Sequence, residues 1–287
     1  MKKWNKVLIT KASGESVPFS ESKLRASLAR AGSNEEQINR VVDELSDKLY
    51  HGISTKKIYR IAFNLLKGKS INVAAKYHLK QAIMELGPTG FPFEKFIGEI
   101  LKYQGYETSV GVIVEGQCVS HEIDVIAEKA NNHIMIECKY HNLQGTICDV
   151  KIPLYINARF NDVRATWLKL PGHDKKFHQG WVVTNTRFTQ DAIQYGTCAG
   201  LKLIGWDYPD EDSLRNKIDT LGLYPLTCLT TLSKFEKQQL LDKRIVLCKE
   251  IYNDRNHLKA IGVSDSRIEK VMKEASDLCS PIVENIP

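Results

Sequence analysis

The chain has 287 residues, of which 43% are hydrophobic and 26% are charged, and its formal net charge is +6. This composition is that of a globular protein, and the length predicts two or three domains. No apolar run approaches the roughly 20 residues that cross a bilayer, which excludes a membrane-spanning protein. The seven cysteines are odd in number and form no CxxC pair. They therefore indicate a reducing cytoplasm rather than a disulfide framework or a cysteine zinc site.

The positive charge is unevenly distributed along the chain. Residues 1–88 hold 16 Lys and Arg against 8 Asp and Glu, residues 89–212 hold 12 against 16, and residues 213–287 hold 12 against 10. The central segment is net negative. We therefore expect any surface that binds a polyanion to lie chiefly on the two flanks.

The first 88 residues predict a β-hairpin followed by four helices. Residues 7–11 and 16–19 form the strands, and residues 12–15 form the turn between them. Ser20 is the predicted N-cap of the first helix, and Gly32 ends it. Apolar residues at spacings of three and four predict the other helices, the last of which ends at Gly87-Pro88.

This segment resembles the ATP-cone, the nucleotide-sensing module of ribonucleotide reductases and their transcriptional repressor. The matching residues are Val7, Lys11, Gly14, Phe19, Lys23, Leu24, Ala74, Tyr77 and Leu86-Gly87. The resemblance implies that ATP or dATP binds here as a regulatory ligand at Lys11, Gly14, Lys23 and Tyr77. The two lysines would contact phosphates and Tyr77 would border the base, unless Tyr77 only packs between helices.

One position departs from the ATP-cone pattern. Ala12 stands where the family usually has Arg, so one guanidinium that would bind phosphate is missing. The alternative is a cone that serves only as a basic docking or dimerisation unit.

The central segment carries two strands with charged residues at one end. Residues 93–106 predict a helix, and residues 121–140 predict two strands joined by a tight turn. Because side chains alternate along a strand, Glu137 and Lys139 share one face and Cys138 points to the other. If the strands pair, Asp124 lies beside Glu137, and a hard cation such as Mg²⁺ relieves the repulsion between the two carboxylates.

This D…ExK pattern resembles the PD-(D/E)xK nuclease superfamily. The order of elements and the phrase Phe93-Glu94 with Gly105-Tyr106 are similar to the catalytic domain of Mrr-type restriction endonucleases. The resemblance implies that Asp124, Glu137 and the Cys138 backbone carbonyl bind Mg²⁺ or Mn²⁺. It implies that Lys139 orients the attacking water and stabilises the phosphorane. Glu94 would complete the metal shell, and Glu122 is its rival for that role.

The segment after the ExK strand predicts a helix that crosses over the sheet. Lys151 and Arg159 on this helix are candidate contacts to DNA phosphates, with solvated surface as the alternative. A buried strand at residues 180–185, another helix and a final strand at residues 201–206 complete the predicted sheet. Pro209 and the acidic residues after it then mark a domain boundary.

The last 75 residues predict helices with short turns. The turn Ile261-Gly262-Val263 resembles the helix-hairpin-helix, whose backbone N–H groups hold a DNA phosphate. The following helix presents Arg267, Lys270 and Lys273 on one side as further candidate DNA contacts. An ordinary helix cap at Gly262 is the alternative.

These patterns predict an α/β protein with three domains. Residues 1–88 form an α+β ATP-cone, residues 89–212 a restriction-endonuclease-like mixed sheet flanked by helices, and residues 213–287 a small all-α DNA-binding domain. The expected function is Mg²⁺-dependent cleavage of double-stranded DNA by a cytoplasmic homodimer, controlled by ATP or dATP, in restriction or defence. The alternatives are a junction-specific repair nuclease and a catalytically inert regulator that senses nucleotide and binds DNA.

Overall fold

The computed structural model describes residues 7–173 and 175–279. Their internal packing divides the described residues into two compact units. The first comprises residues 7–82, 224–240 and 248–279, and the second comprises residues 83–173, 175–223 and 241–247. Within the described ranges, none of the helices combines the length and hydropathy that a bilayer span requires.

The N-terminal part of the first unit is a small sheet covered by helices, as the sequence predicts. Its elements are β1 (Leu8–Thr10), β2 (Ser16–Pro18), α1 (Glu21–Arg30), α2 (Glu35–Ser46), β3 (Ile53–Ser54), α3 (Thr55–Lys67), α4 (Ile71–Tyr77) and α5 (Leu79–Ile83). The strand order is β2-β1-β3, with β1 antiparallel to β2 and parallel to β3. Gly14 has a φ of +83° in the hairpin turn, a conformation that glycine adopts without a steric cost.

The second unit is built on a five-stranded mixed sheet. Its elements are α6 (Phe91–Tyr103), β4 (Glu107–Glu115), β5 (Ser120–Lys129), β6 (Asn132–Lys139), β7 (Ile147–Cys148), α7 (Lys151–Trp167), β8 (Phe177–Thr184), β9 (Arg187–Phe188), α8 (Gln190–Cys198), β10 (Lys202–Ile204) and α9 (Leu214–Leu221). The strand order is β10-β8-β6-β5-β4. Strands β4, β5 and β6 are antiparallel neighbours, whereas β6, β8 and β10 run parallel.

Apolar side chains fix the helices on this sheet. Residues of α7 such as Ile156 and Phe160 share one buried cluster with Met135 and Val182 of the central strands. Helix α6 approaches β4 closely at Gly98, where an added Cβ would lie 2.9 Å from Val110 Cγ2. This packing brings the first turn of α6 and the middle of α7 near the middle of β5 and the C-terminal end of β6.

The C-terminal residues contain a 3₁₀ turn at Leu226–Cys228 and the helices α10 (Lys234–Asp242), α11 (Cys248–Asn253), α12 (Asn256–Lys259) and α13 (Asp265–Cys279). The helical character agrees with the prediction. The packing differs from the predicted separate domain, because α13 packs on α4 and Thr227 Oγ1 donates to the Ala82 carbonyl at 2.7 Å. Most of this region therefore shares one compact unit with residues 7–82.

Candidate active site

Glu137 is a buried carboxylate held between two cations. It lies near the end of β6 and its surface is only 4% exposed. Lys139 Nζ donates to Glu137 Oε1 at 2.5 Å, and Arg159 Nη1 donates to Glu137 Oε2 at 2.5 Å. Desolvating a carboxylate is costly unless charges and hydrogen bonds compensate for the lost water, and both cations do so here.

Asp124 lies on β5 just beyond the last paired residues of the β5–β6 ladder, Val125 and Ile136. The Cys138 N–H donates to Asp124 Oδ2 at 2.7 Å. The carboxylate thus replaces the β5 carbonyl that would accept this hydrogen bond if the ladder continued. Burial and the negative charge of Glu137 raise the pKa of Asp124 to about 6, against the lowering effect of that hydrogen bond. The group therefore holds its proton more strongly than an ordinary aspartate.

Glu94 reaches the same place from the first turn of α6. Burial, together with the charges of Asp124, Glu122 and Glu137, raises its pKa to about 7. The structure thus brings together Glu94, Asp124, Glu137 and Lys139, the residues that the sequence predicts as the catalytic set. Glu122 has an exposed side chain, and its backbone carbonyl accepts a hydrogen bond from Arg159.

The donor set fits a hard divalent cation. Three partly or fully buried carboxylates converge, and the raised pKa values of Glu94 and Asp124 show that Lys139 and Arg159 do not neutralise them all. Carboxylate oxygens are the ligands that Mg²⁺ and Mn²⁺ prefer. The Cys138 thiol is buried and its pKa lies well above the usual range, because burial disfavours the thiolate. Cys138 can therefore contribute only its backbone carbonyl, which stays a prediction.

Arg159 is placed differently from the prediction. A contact to DNA phosphate requires a guanidinium at the surface, but the Arg159 side chain is only 13% exposed and binds Glu137. The contact with Glu137 could not be predicted from the sequence, because it depends on how α7 crosses the sheet. Lys151, in contrast, is exposed at the start of α7 and remains a candidate DNA contact.

Two polar residues, Thr184 at the end of β8 and Asn185 just after it, hold the backbone at the end of β6 and just beyond it. Thr184 Oγ1 donates to the Lys139 carbonyl at 2.7 Å. The fully buried amide of Asn185 accepts from the His141 N–H at 2.8 Å and donates to the His141 carbonyl at 2.7 Å. The only sequence signal for this support is a Thr-Asn-Thr run at the end of an apolar strand.

The predicted nucleotide residues lie on the first unit. Lys11 is exposed and forms an ion pair with Glu15 at 2.9 Å, whereas Lys23 is exposed in the first turn of α1. The Tyr77 ring stacks on Tyr59 with 5.4 Å between ring centroids. Burial raises the Tyr77 pKa to about 12, against a hydrogen bond with Ser27 that lowers it. Tyr77 thus packs between helices, and its contact with a base stays a prediction.

The C-terminal turn forms a helix cap. Gly262 has a φ of +78°, its N–H donates to the Lys259 carbonyl, and the Val263 N–H donates to the Leu258 carbonyl. This pair of bonds is a Schellman cap, so neither N–H is available for the predicted phosphate contact.

Arg267 differs from the prediction as well. Its guanidinium donates to Glu236 at 2.5 and 2.9 Å and to the Thr231 carbonyl at 3.0 Å. These bonds give Arg267 a structural role that the sequence did not predict, and its DNA contact stays a prediction. Lys270 and Lys273 are exposed and remain candidates.

Comparison with known families matches three segments of the chain. Residues 7–82 match the ATP cone domain, residues 88–208 match a restriction endonuclease domain, and residues 224–279 match the C-terminal region of AF1548-like proteins. The predicted ATP-cone and Mrr-type resemblances are therefore confirmed. Together the two N-terminal segments support a nuclease that depends on a divalent metal and is regulated by a nucleotide.

Comparison with individual proteins identifies relatives that match much of the chain. An uncharacterized protein of Archaeoglobus fulgidus is 36% identical over 180 residues, which cover 62% of this chain and 97% of the relative. The crystal structure of AF1548, a protein of unknown function, is 34% identical with a TM-score of 0.55, covering 67% of this chain and 98% of that one. Can2 from Sulfobacillus thermosulfidooxidans, bound to cyclic tetra-adenylate, matches at 14% identity and a TM-score of 0.33, which is too low to inform fold or function. The chain therefore belongs to the AF1548-like family, with an ATP cone domain at residues 7–82 and a restriction endonuclease domain at residues 88–208.

Proposed function

We propose that the chain is a Mg²⁺-dependent endonuclease of the Mrr restriction type that hydrolyses phosphodiester bonds in double-stranded DNA. The observation that carries the proposal is the convergence of Glu94, Asp124 and Glu137 with Lys139 in a restriction endonuclease domain. Four charged side chains from a helix and two strands meet, and two of the carboxylates have pKa values raised towards neutrality. Such perturbed groups mark sites where a ligand or substrate supplies the missing charge.

Asp124 and Glu137 would hold the cation, and Glu94 would complete its shell. When bound, the cation would neutralise charge on the scissile phosphate and make water a better nucleophile. Cation binding would also drive the protons from Glu94 and Asp124, because the positive charge favours the ionised carboxylates. The ionised carboxylates would then serve as ligands of the cation and could accept a hydrogen bond from the attacking water.

Lys139 would act on the transition state. Its ammonium group carries three donors, and Glu137 positions it through the 2.5 Å contact. Once Glu137 is also bound to the cation, Lys139 can donate to the attacking water and to the phosphate oxygen that gains charge. Arg159 keeps the Glu137 side chain oriented, and Thr184 keeps the Lys139 backbone in place.

We propose further that ATP or dATP binds the ATP cone domain at Lys11, Gly14 and Lys23 and controls cleavage. DNA affinity would come from basic flanks, since residues 89–212 hold 12 Lys and Arg against 16 Asp and Glu. A homodimer would supply the two centres that cutting both strands requires. Seven free cysteines support a reducing cytoplasm, and defence against foreign DNA is the proposed purpose.

Plasmid cleavage tests the proposal. Wild-type protein should convert supercoiled plasmid to nicked and linear forms with Mg²⁺, and Asp124→Asn should not. EDTA should stop the reaction, and adding ATP or dATP should change its rate. Cleavage of neither plasmid nor linear duplex, with cleavage of a four-way junction, would favour the junction nuclease. Binding of DNA and nucleotide without any cleavage would favour the inert regulator.

A further inference from the structure

Three histidines meet at the other end of the strands that carry the nuclease residues. His133 and His178 occupy the second positions of β6 and β8 and lie directly opposite each other in the parallel pairing. His173 belongs to the turn before β8, and one ring nitrogen from each histidine lies within 4.8 Å of the others. His133 and Glu137 are four residues apart on β6, or about 13 Å at 3.3 Å per residue, so this cluster is separate from the carboxylate site.

Hydrogen-bond partners fix the tautomers of two of the rings. His133 Nε2 lies 3.3 Å from Glu128 Oε1, and His178 Nε2 lies 3.2 Å from the His173 carbonyl oxygen. A carboxylate and a carbonyl can only accept, so both Nε2 atoms must carry the hydrogen. The Nδ1 atoms of the neutral rings then hold lone pairs, and these two atoms face each other at 3.1 Å.

Two facing lone pairs need a positive species that both can bind. A proton is a poor occupant, because an imidazolium buried here would lose the hydration of its charge. Both rings are more than nine-tenths buried, and Trp167 packs over His133 with 4.0 Å between ring centroids. A metal ion, in contrast, binds neutral imidazole.

The third ring offers a buried nitrogen that makes no hydrogen bond. Nδ1 of His173 is buried from solvent and has no partner among the described residues. A buried polar atom of this kind is rare unless a ligand, an ion or water completes it. Lys176 Nζ binds Glu128 Oε2 at 2.7 Å, which fixes the carboxylate that faces His133, and lies 3.4 Å from His173 Nε2. With a metal on Nδ1, His173 Nε2 would carry the hydrogen and Lys176 would keep only its bond to Glu128.

We propose that His133, His173 and His178 form a zinc site, with the Nδ1 atoms as ligands and water in the fourth position. Three imidazoles suit Zn²⁺, and three protein ligands with water are an established zinc arrangement. Glu128 accepts the Nε2 hydrogen of His133, and the His173 carbonyl accepts that of His178. In zinc proteins such hydrogen bonds orient the histidine ligands. The ion would tie the turn before β8 to the starts of β6 and β8, the two strands whose far ends carry Lys139 and Thr184. This inference does not depend on the proposed nuclease activity.

Metal analysis of the untagged, full-length protein tests the site. After exposure to Zn²⁺ and removal of the excess, the wild type should retain one zinc per chain by mass spectrometry of the metal. His178→Gln should lose it, whereas Asp124→Asn at the carboxylate site and His257→Gln, a partly exposed histidine on α12, should retain it. Chelation should lower the Tm of the wild type, and Zn²⁺ should restore it. Co²⁺ in place of zinc should give the visible absorption of a four-coordinate ion.

His173→Gln serves as a second variant if His178→Gln does not fold, since His173 lies in a turn and is only half-buried. Equal zinc in the wild type and in whichever histidine variant folds would overturn the proposal. So would a wild type that binds no zinc, or zinc that is lost in Asp124→Asn but kept in the histidine variants.

Discussion

Two regions of the molecule place carboxylates beside basic side chains: the carboxylate site on the sheet, and the contact of Arg267 with Glu236 in the C-terminal helices. In the second region the basic group neutralises the carboxylate, whereas in the first some of the negative charge has no cationic partner. Arg267 satisfies Glu236 through two hydrogen bonds and lowers the pKa of that carboxyl to about 2. At the sheet, Lys139 and Arg159 satisfy Glu137, while burial and repulsion raise the pKa values of Asp124 and Glu94. A lowered carboxyl pKa indicates a complete ion pair, whereas a raised one indicates negative charge that still lacks a partner.

At the carboxylate site, Lys139→Ala is expected to cause the largest loss of plasmid cleavage. Removing a group that stabilises only the transition state should reduce plasmid cleavage by about 10²–10³-fold or more, with DNA binding nearly unchanged. Cleavage is measured on supercoiled plasmid and binding by fluorescence anisotropy. Lys169→Ala, at an exposed lysine just after α7, is the matched control and should keep the activity. Full cleavage by Lys139→Ala would remove it from the catalytic set.

Arg159→Met tests whether the guanidinium supports Glu137 or binds DNA. Loss of a group that orients a metal ligand should reduce cleavage by about 10–100-fold, with a higher requirement for Mg²⁺. Arg164→Met, an exposed arginine on the same helix, should leave the Mg²⁺ dependence unchanged. If Arg159→Met instead lowers DNA affinity at an unchanged Mg²⁺ requirement, the predicted phosphate contact is right and the supporting role is wrong.

Lys23→Ala tests the nucleotide site of the ATP cone domain. A lost charge-assisted phosphate contact costs about 1.5–3 kcal/mol, so the Kd for ATP or dATP should rise roughly tenfold to a hundredfold by calorimetry. Lys48→Ala, at another exposed lysine of residues 1–88, should not change it. No heat with either nucleotide in the wild type would leave the docking or dimerisation alternative in place.

The smallest effect is expected in the C-terminal helices. Lys270→Gln with Lys273→Gln should make DNA binding less dependent on salt, because each lost phosphate contact reduces the log-log slope by about 0.9. Arg267→Met should lower the Tm and leave that slope unchanged, because its contacts are internal. Removing residues 213–287 would be a poor test, since most of them pack with residues 7–82. An unchanged slope in the lysine variant would mean that this surface does not bind DNA.

Sequence patterns predict those features of the fold and the site that depend on residues close together in the chain. The alternation of β6 places Glu137 and Lys139 together, and a tight turn after Lys129 lets Asp124 reach them. Contacts between distant elements are absent from such patterns. Arg159 reaches Glu137 only because of how α7 crosses the sheet, and His133 meets His178 only because β6 and β8 pair in parallel in one register. Gly262 fits both a helix cap and a phosphate-binding turn, and the bonds of its neighbours decide between them.

Calorimetric titration with Mn²⁺ tests most directly whether the unmatched carboxylates hold a cation. Their ordinary pKa values of 4.5 and 3.8 are raised to about 7 for Glu94 and about 6 for Asp124, so protons compete with the metal in weak acid. The wild type should bind Mn²⁺ at about pH 8, where both groups are ionised, and more weakly at about pH 5.5, where both hold protons. Asp124→Asn should bind weakly at both values, and His178→Gln should bind as the wild type does. Equal binding by the wild type and Asp124→Asn, or affinity that does not change with pH, would contradict the account.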